Sequence, residues 1–191
     1  MPVAPESHLT KPAHIEPNGA VWLVGDEPTQ RADLLKQLTA LRDHKPGIRT
    51  DGLAFLLAGA SAQLIDAGLA RVRIVLYSAR QDAHDWLAGR DGALKASLRG
   101  LLAARKAGFD TSVCTPIRRP NAAHLVEVVE LCARLNIPKL RLEWPRTALD
   151  QDNLAVALTA RLGQLRLRDV VERGRLLGVD VTIEGLPSCI A

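Results

Sequence analysis

Residues able to do chemistry gather at a few turns. Gly25-Asp26-Glu27-Pro28, Thr50-Asp51-Gly52, Ser78-Ala79-Arg80, Arg118-Arg119 and Glu143-Trp144-Pro145 join hydroxyls, carboxylates and guanidiniums to residues that break regular structure. The opposite charges of Arg118 and Glu143 suit a polar ligand, or each other. His84-Asp85 has the residue types of an acid–base pair. Adjacent residues rarely present both side chains to one substrate atom, and no nucleophile or third orienting group accompanies them. A loop or helix-capping role is therefore expected for the pair.

Metal and thiol chemistry finds little support. Cys114, Cys132 and Cys189 contain no CxxC spacing, which excludes a zinc ribbon or a thioredoxin-like redox site. Their odd count and low density argue against a disulfide scaffold and fit a reducing cytoplasm. The five histidines share no HxH or HxxxH spacing, so no histidine metal site is expected. Cys114 in a strand and Cys132 on an apolar helix face read as small buried hydrophobes.

The elements that position these turns follow from periodicity. Apolar or β-branched runs at Ala20–Val24, Ile48–Thr50, Val72–Tyr77, Phe109–Thr115, Lys139–Glu143 and Val179–Glu184 read as strands. Helical spacing opens at Thr29 or Asp33 and recurs over Leu56–Ala67, Ala93–Ala107, a segment capped by Asn121 and running to Leu135, and Asn153–Leu177. Ser78–Gly92 reads as a loop. In the last helix, Leu162, Leu165, Val170 and Leu176 or Leu177 point inward, leaving Arg161, Arg166, Arg168, Arg173 and Arg175 as a solvated face. This β–α alternation predicts parallel strands joined by right-handed crossovers, with ligand-facing groups at the strand carboxyl ends. Six strands are too few for an eight-fold barrel, which takes about 250 residues. A partial barrel or a doubly wound sheet remains.

Composition narrows the function classes. The 191 residues carry 25 Lys and Arg against 21 Asp and Glu, a net charge of +4, and only 3% aromatics. A basic nucleic-acid arm is excluded, and nucleic-acid binding is not expected without aromatic stacking platforms. No apolar stretch approaches the ~18 residues of a membrane span. The opening MPVAPESHLTKPAHIEPNG has neither the basic nor the apolar region of a signal peptide, and its four prolines predict a flexible arm over residues 1–18.

The order of these segments resembles the radical S-adenosylmethionine (radical SAM) superfamily. VWLVGDEPTQRADL is similar to its second strand with a GGEP-type turn, Asp26 taking the second place. IRTDGLAFLLAGASAQLIDAGLARVRIVL resembles its TNG turn, a helix ending in AGL and the next strand. YSARQDAHDWLAGRDGALKASLRGLLAARKAGFDTSVCTPIRRPN resembles its serine-ended strand, HD-containing loop, helix ending in AG and the strand leading to R-x-N. LRLEWP and Gly185-Leu186-Pro187-Ser188-Cys189 complete the similarity, which runs over residues 19–191.

The resemblance implies an α/β fold, a partial (β/α)6-type TIM-like barrel of five to six parallel strands. It also implies a mouth at which Gly25, Asp26, Glu27, Pro28, Thr50, Ser78, Arg118 and Glu143 would approach S-adenosylmethionine. The superfamily's CxxxCxxC loop, which holds a [4Fe–4S] cluster through three thiolates, is absent from these residues. Without the cluster no electron cleaves the sulfonium bond. The expectation is a shortened, degenerate relative lacking the cluster, a non-catalytic binding or partner protein with a vestigial S-adenosylmethionine pocket and no assignable catalytic residue. Two alternatives stand beside it: a fragment of an active radical SAM enzyme with its cluster region upstream, and a cluster-free enzyme using Glu27, Asp51, Ser78, Arg118 or Glu143. An exposed strand edge would need cover, by a homodimer or by an intact radical SAM enzyme partner. A small metabolite is the other expected ligand.

Overall fold

Arg71–Val75 forms the middle strand of a seven-stranded sheet, buried on both faces through Val72, Arg73, Ile74 and Val75. The computed structural model describes residues 14–16, 19–25, 27–144 and 160–185. Its strands are β1 (His14–Ile15), β2 (Val21–Leu23), β3 (Gly47–Thr50), β4 (Arg71–Val75), β5 (Asp110–Pro116), β6 (Lys139–Glu143) and β7 (Asp180–Glu184), and they lie side by side in chain order. From β2 to β7 all pairings are parallel, while β1 runs antiparallel to β2. The helices are α1 (Leu34–Ala40), α2 (Ala60–Asp66), α3 (Gln81–Ala88), α4 (Ala93–Lys106), α5 (Leu125–Arg134) and α6 (Ala160–Leu177). The sheet curls far enough for His14 of β1 to come within 3.8 Å of Glu184 on β7. This is a partial (β/α) barrel.

Strand side chains alternate between two environments. Leu23, Ile48, Val72, Ile74, Val113, Leu140 and Leu142 pack against Leu38, Leu64, Leu101, Val128, Val129 and Val170 of the helices, forming one continuous core. The inner face carries charge. Register sets Arg49 beside Arg73, and Cys114 between Val75 and Arg141. Glu16 accepts from Arg73 at 3.1 Å and pairs with Arg141 at 2.7 Å, while Arg141 also reaches Glu184 at 2.7 Å. The Arg73 guanidinium stacks 3.7 Å from the Trp22 ring centroid.

Several sequence expectations are corrected. Ser78–Gly92 contains α3, whose buried residues are His84 and Asp85, so no apolar stripe announces it. The expected Leu56–Ala67 helix is split into a 3-10 turn, Leu53–Leu56, and α2, because Gly59 adopts φ +76 between them. In α6, Leu167 and Val170 face inward, whereas Leu176 is 71% exposed. Of the predicted arginine face, Arg166, Arg168 and Arg175 are exposed, and Arg173 pairs with Glu130 at 2.7 Å. Asn121 makes no helix-capping bond. Within the stretch read as an arm, His14 and Ile15 pair with β2, and Glu16 is buried beside them. The side chains of Arg161, Leu162 and Leu165 lie outside the description, as do residues Pro145 and Leu186–Cys189.

The helix that positions the Thr50-Asp51-Gly52 turn is α4. Gly52 sits at φ +88, and a Cβ on Gly100 would stand 2.2 Å from the Gly52 carbonyl oxygen. Neither backbone can yield without moving the turn. Gly100→Ala is expected to destabilise the protein by about 2–3 kcal/mol, seen as a lower urea midpoint at unchanged slope.

Candidate functional site at the strand carboxyl ends

Glu27 organises the mouth. Its Oε1 accepts from the Thr29 amide at 3.1 Å, the Thr29 hydroxyl at 2.5 Å and the Thr50 hydroxyl at 2.7 Å. Its Oε2 accepts from the Asp51 amide at 2.8 Å. Thr50 in turn accepts from the Gly52 amide at 3.1 Å, and Asp51 from the Leu53 amide at 2.9 Å. The turns after β2 and β3 are thus bolted together by one carboxylate. Pro28, buried, opens the 3-10 turn that follows. Gly25 has φ +153, with nothing described within 4 Å of where a Cβ would stand. Asp26 lies outside the described residues.

A second knot joins β4 and β5. The Asn121 amide donates to the Tyr77 carbonyl at 2.6 Å and the Pro116 carbonyl at 2.9 Å, and its Oδ1 accepts from the Arg118 amide at 2.7 Å. Ser78, fully buried, accepts from the Arg80 amide at 3.0 Å. Arg118 donates to the Ile117 carbonyl at 3.0 Å and does not meet Glu143. Glu143 instead receives a two-pronged bond from Arg49, at 3.2 and 3.0 Å. The structure therefore brings Glu27 and Thr50 into contact, holds Arg118 on the Asn121 knot and sets Ser78 against the Arg80 amide. It ties Glu143 across the inner face to β3.

Sequence reasoning missed Arg49, although strand parity places it on the inner face, and gave Asn121 a cap when R-x-N already marked it. Asp85 is the helix cap of the expected pair. Its carboxylate accepts from the Gly92 and Leu94 amides at 2.8 and 2.9 Å, and chiefly the Leu94 bond holds its pKa below the usual carboxylate value. His84 lies 3.9 Å from that carboxylate, too far for a hydrogen bond, and in edge contact with Tyr77. Burial, opposed by Asp85, lowers the His84 pKa.

The described thiols do not fit an iron–sulfur cluster. Cys114 is sealed in the inner face of β5 and Cys132 in the helix core, and burial pushes each thiol up to about 12. No three His, Cys, Asp or Glu side chains among the described residues form a metal-binding group. No described helix is long and apolar enough to cross a membrane.

A parallel partial barrel with a polar mouth at its strand carboxyl ends defines a broad structural class, and the relatives narrow it. The probable GTP 3',8-cyclase of Halobacterium salinarum is 32% identical over 165 residues, covering 82% of this chain and 46% of that protein. The GTP 3',8-cyclase of a Sulfurovum species is 30% identical over 120 residues, covering 61% and 36%. The AdoMet-dependent heme synthase of Oleidesulfovibrio alaskensis is 28% identical over 124 residues, covering 62% and 31%. Among solved structures, Streptococcus suis SuiB bound to S-adenosylmethionine superposes with TM-score 0.67 at 15% identity, over 86% of this chain and 39% of that one. Native anSMEcpe with bound AdoMet gives 0.65 at 15%, over 85% and 49%. No family model matches the chain. The chain belongs to the radical SAM superfamily and spans less than half the length of these relatives.

Two outcomes follow from this geometry. Glu27→Gln replaces an acceptor oxygen with an NH2 group facing donors, and should cost about 2–3 kcal/mol in denaturant unfolding. Because the His84 pKa is depressed on folding, the unfolded chain binds the extra proton, and stability falls as pH drops through the ordinary histidine value near 6.5. His84→Leu should flatten that slope between pH 7 and 5, measured by urea titration at each pH.

Proposed function

We propose that these 191 residues form the S-adenosylmethionine-binding part of a radical SAM enzyme, completed by a cluster-carrying segment outside them. One observation carries the reading: Glu27 commits its carboxylate to fixing together the turns after β2 and β3, the two turns that resemble the superfamily's GGEP-type and TNG segments. Arg118 adds guanidinium donors beyond its single bond to Ile117. Bound S-adenosylmethionine supplies the sulfonium on which the superfamily's chemistry turns. The residues described here hold it, orient it and fix the mouth. The similarity to GTP 3',8-cyclases and to an AdoMet-dependent heme synthase supports the same reading.

A second reading, a cluster-free binding or partner protein, is favoured by the edge of β2. A preceding parallel strand would pair there, and β1 already does, anchored by Glu16 on Arg73 and Arg141. An in-frame CxxxCxxC in the adjoining reading frame separates the two in favour of the first.

Calorimetric titration tests the ligand. S-adenosylmethionine should bind with Kd on the order of micromolar, and Glu27→Ala should weaken it about tenfold. Silence toward both S-adenosylmethionine and S-adenosylhomocysteine would overturn the assignment. After anaerobic reconstitution, these residues alone should hold no stoichiometric iron and sulfide, and a full four-iron complement would refute that expectation.

A further inference from the structure

Between β3, β4, α3 and α4 lies a cavity of about 220 Å3. None of Gly25, Glu27, Thr50, Ser78, Arg118 or Glu143 lines it. Its size falls below the roughly 300–1,000 Å3 of pockets for drug-sized ligands, so its occupant is small. Val75, Tyr77 and two alanines form the walls, while His84 and the buried Ser97 line it alongside them.

His84 is the anomaly. Its side chain is 2% exposed, yet neither ring nitrogen has a hydrogen-bond partner. The Asp85 oxygens are taken by the Gly92 and Leu94 amides, and the Val75 carbonyl, though close, completes no bond with the ring. Arg90, the other charged neighbour of the ring, holds like charge toward it. A buried imidazole left unsatisfied is costly, and a ligand that both accepts and donates at its edge removes that cost. Burial favours the neutral ring, which offers one donor and one acceptor.

The charged lining narrows the ligand further. Arg49, also in the lining, is held by Glu143, which leaves Asp51 and Arg90, facing each other at 4.0 Å, beyond hydrogen-bond reach. Burial, with the Glu27 charge nearby, raises the Asp51 pKa against the Leu53 amide bond and the Arg90 charge, and leaves its second oxygen for a ligand. A ligand of one sign would satisfy one of these groups and leave the other unmatched. A zwitterion satisfies both.

We propose that this cavity takes a small free α-amino acid, its ammonium on Asp51, its carboxylate on Arg90 and a polar side chain reaching His84. The cavity adjoins the mouth through Asp51, whose amide bonds Glu27, and through Arg49, which pairs with Glu143, but the amino-acid assignment does not depend on S-adenosylmethionine binding there.

The test offers the twenty amino acids singly to the 191-residue chain, by thermal shift and then calorimetry. At least one with a polar side chain should bind, and His84→Ala and Arg90→Ala should each weaken it about tenfold or more. Neither variant should alter the response to S-adenosylmethionine. Should His84→Ala fail to fold, Arg90→Ala, whose side chain is 46% exposed, carries the test alone. The proposal is overturned if no amino acid binds, or if the one that binds ignores the substitutions. It is also overturned by competition with S-adenosylmethionine, which would assign the cavity to the methionine end of that molecule. A chain silent to S-adenosylmethionine would leave a positive amino-acid result standing.

Discussion

An arginine inside a barrel has little water to solvate it and must find carboxylates. Three on the inner face of this sheet pair with carboxylates, Arg49, Arg73 and Arg141, with side chains 22%, 10% and 18% exposed. Each partner comes from another strand or from the segment after β1: Glu143 for Arg49, Glu16 for Arg73, and Glu16 with Glu184 for Arg141. Removing one member would leave a charge uncompensated, the costly case for buried ion pairs. The requirement draws β1 onto the sheet and brings both ends of the described sheet toward one another. It also fixes the inner surface below the mouth.

The mouth is built differently. There the chain spends neutral and singly charged groups on knots between successive turns, one around Glu27 and one around Asn121. These knots hold the turns in place by bonds between side chain and backbone. They also explain why Ser78 and Arg118, attractive as ligand contacts, already hold their own turns.

Much of this was legible in the sequence. The β-branched run at Val72–Leu76, the apolar run before Gly25 and the helix ending at Gly108 leave little choice of element, and their alternation dictates the parallel order. What escaped the reading escaped for physical reasons. Two residues in a proline-rich stretch carry no strand periodicity, so β1 was invisible, and α3 buries a histidine and an aspartate where a pattern search seeks leucines. Parity puts Arg49 and Glu143 on one face, but only the register of four strands shows that they meet. Arg118 and Glu143 both end strands and so suggest a pair, but Arg49 takes the Glu143 carboxylate and the Arg118 guanidinium turns to the Ile117 carbonyl.

The identity of strand order and chain order has a kinetic consequence. Every parallel neighbour is also the next strand along the chain, with two helices between β4 and β5, so each loop closure stays local, the regime in which folding is fast. Each new βα unit can dock as it leaves the ribosome onto the strand made just before it. The β1–β2 hairpin, with the shortest loop of all, closes earliest. Its Glu16 then waits for Arg73 and Arg141 to arrive, so the charge network assembles last and locks an order of docking already set.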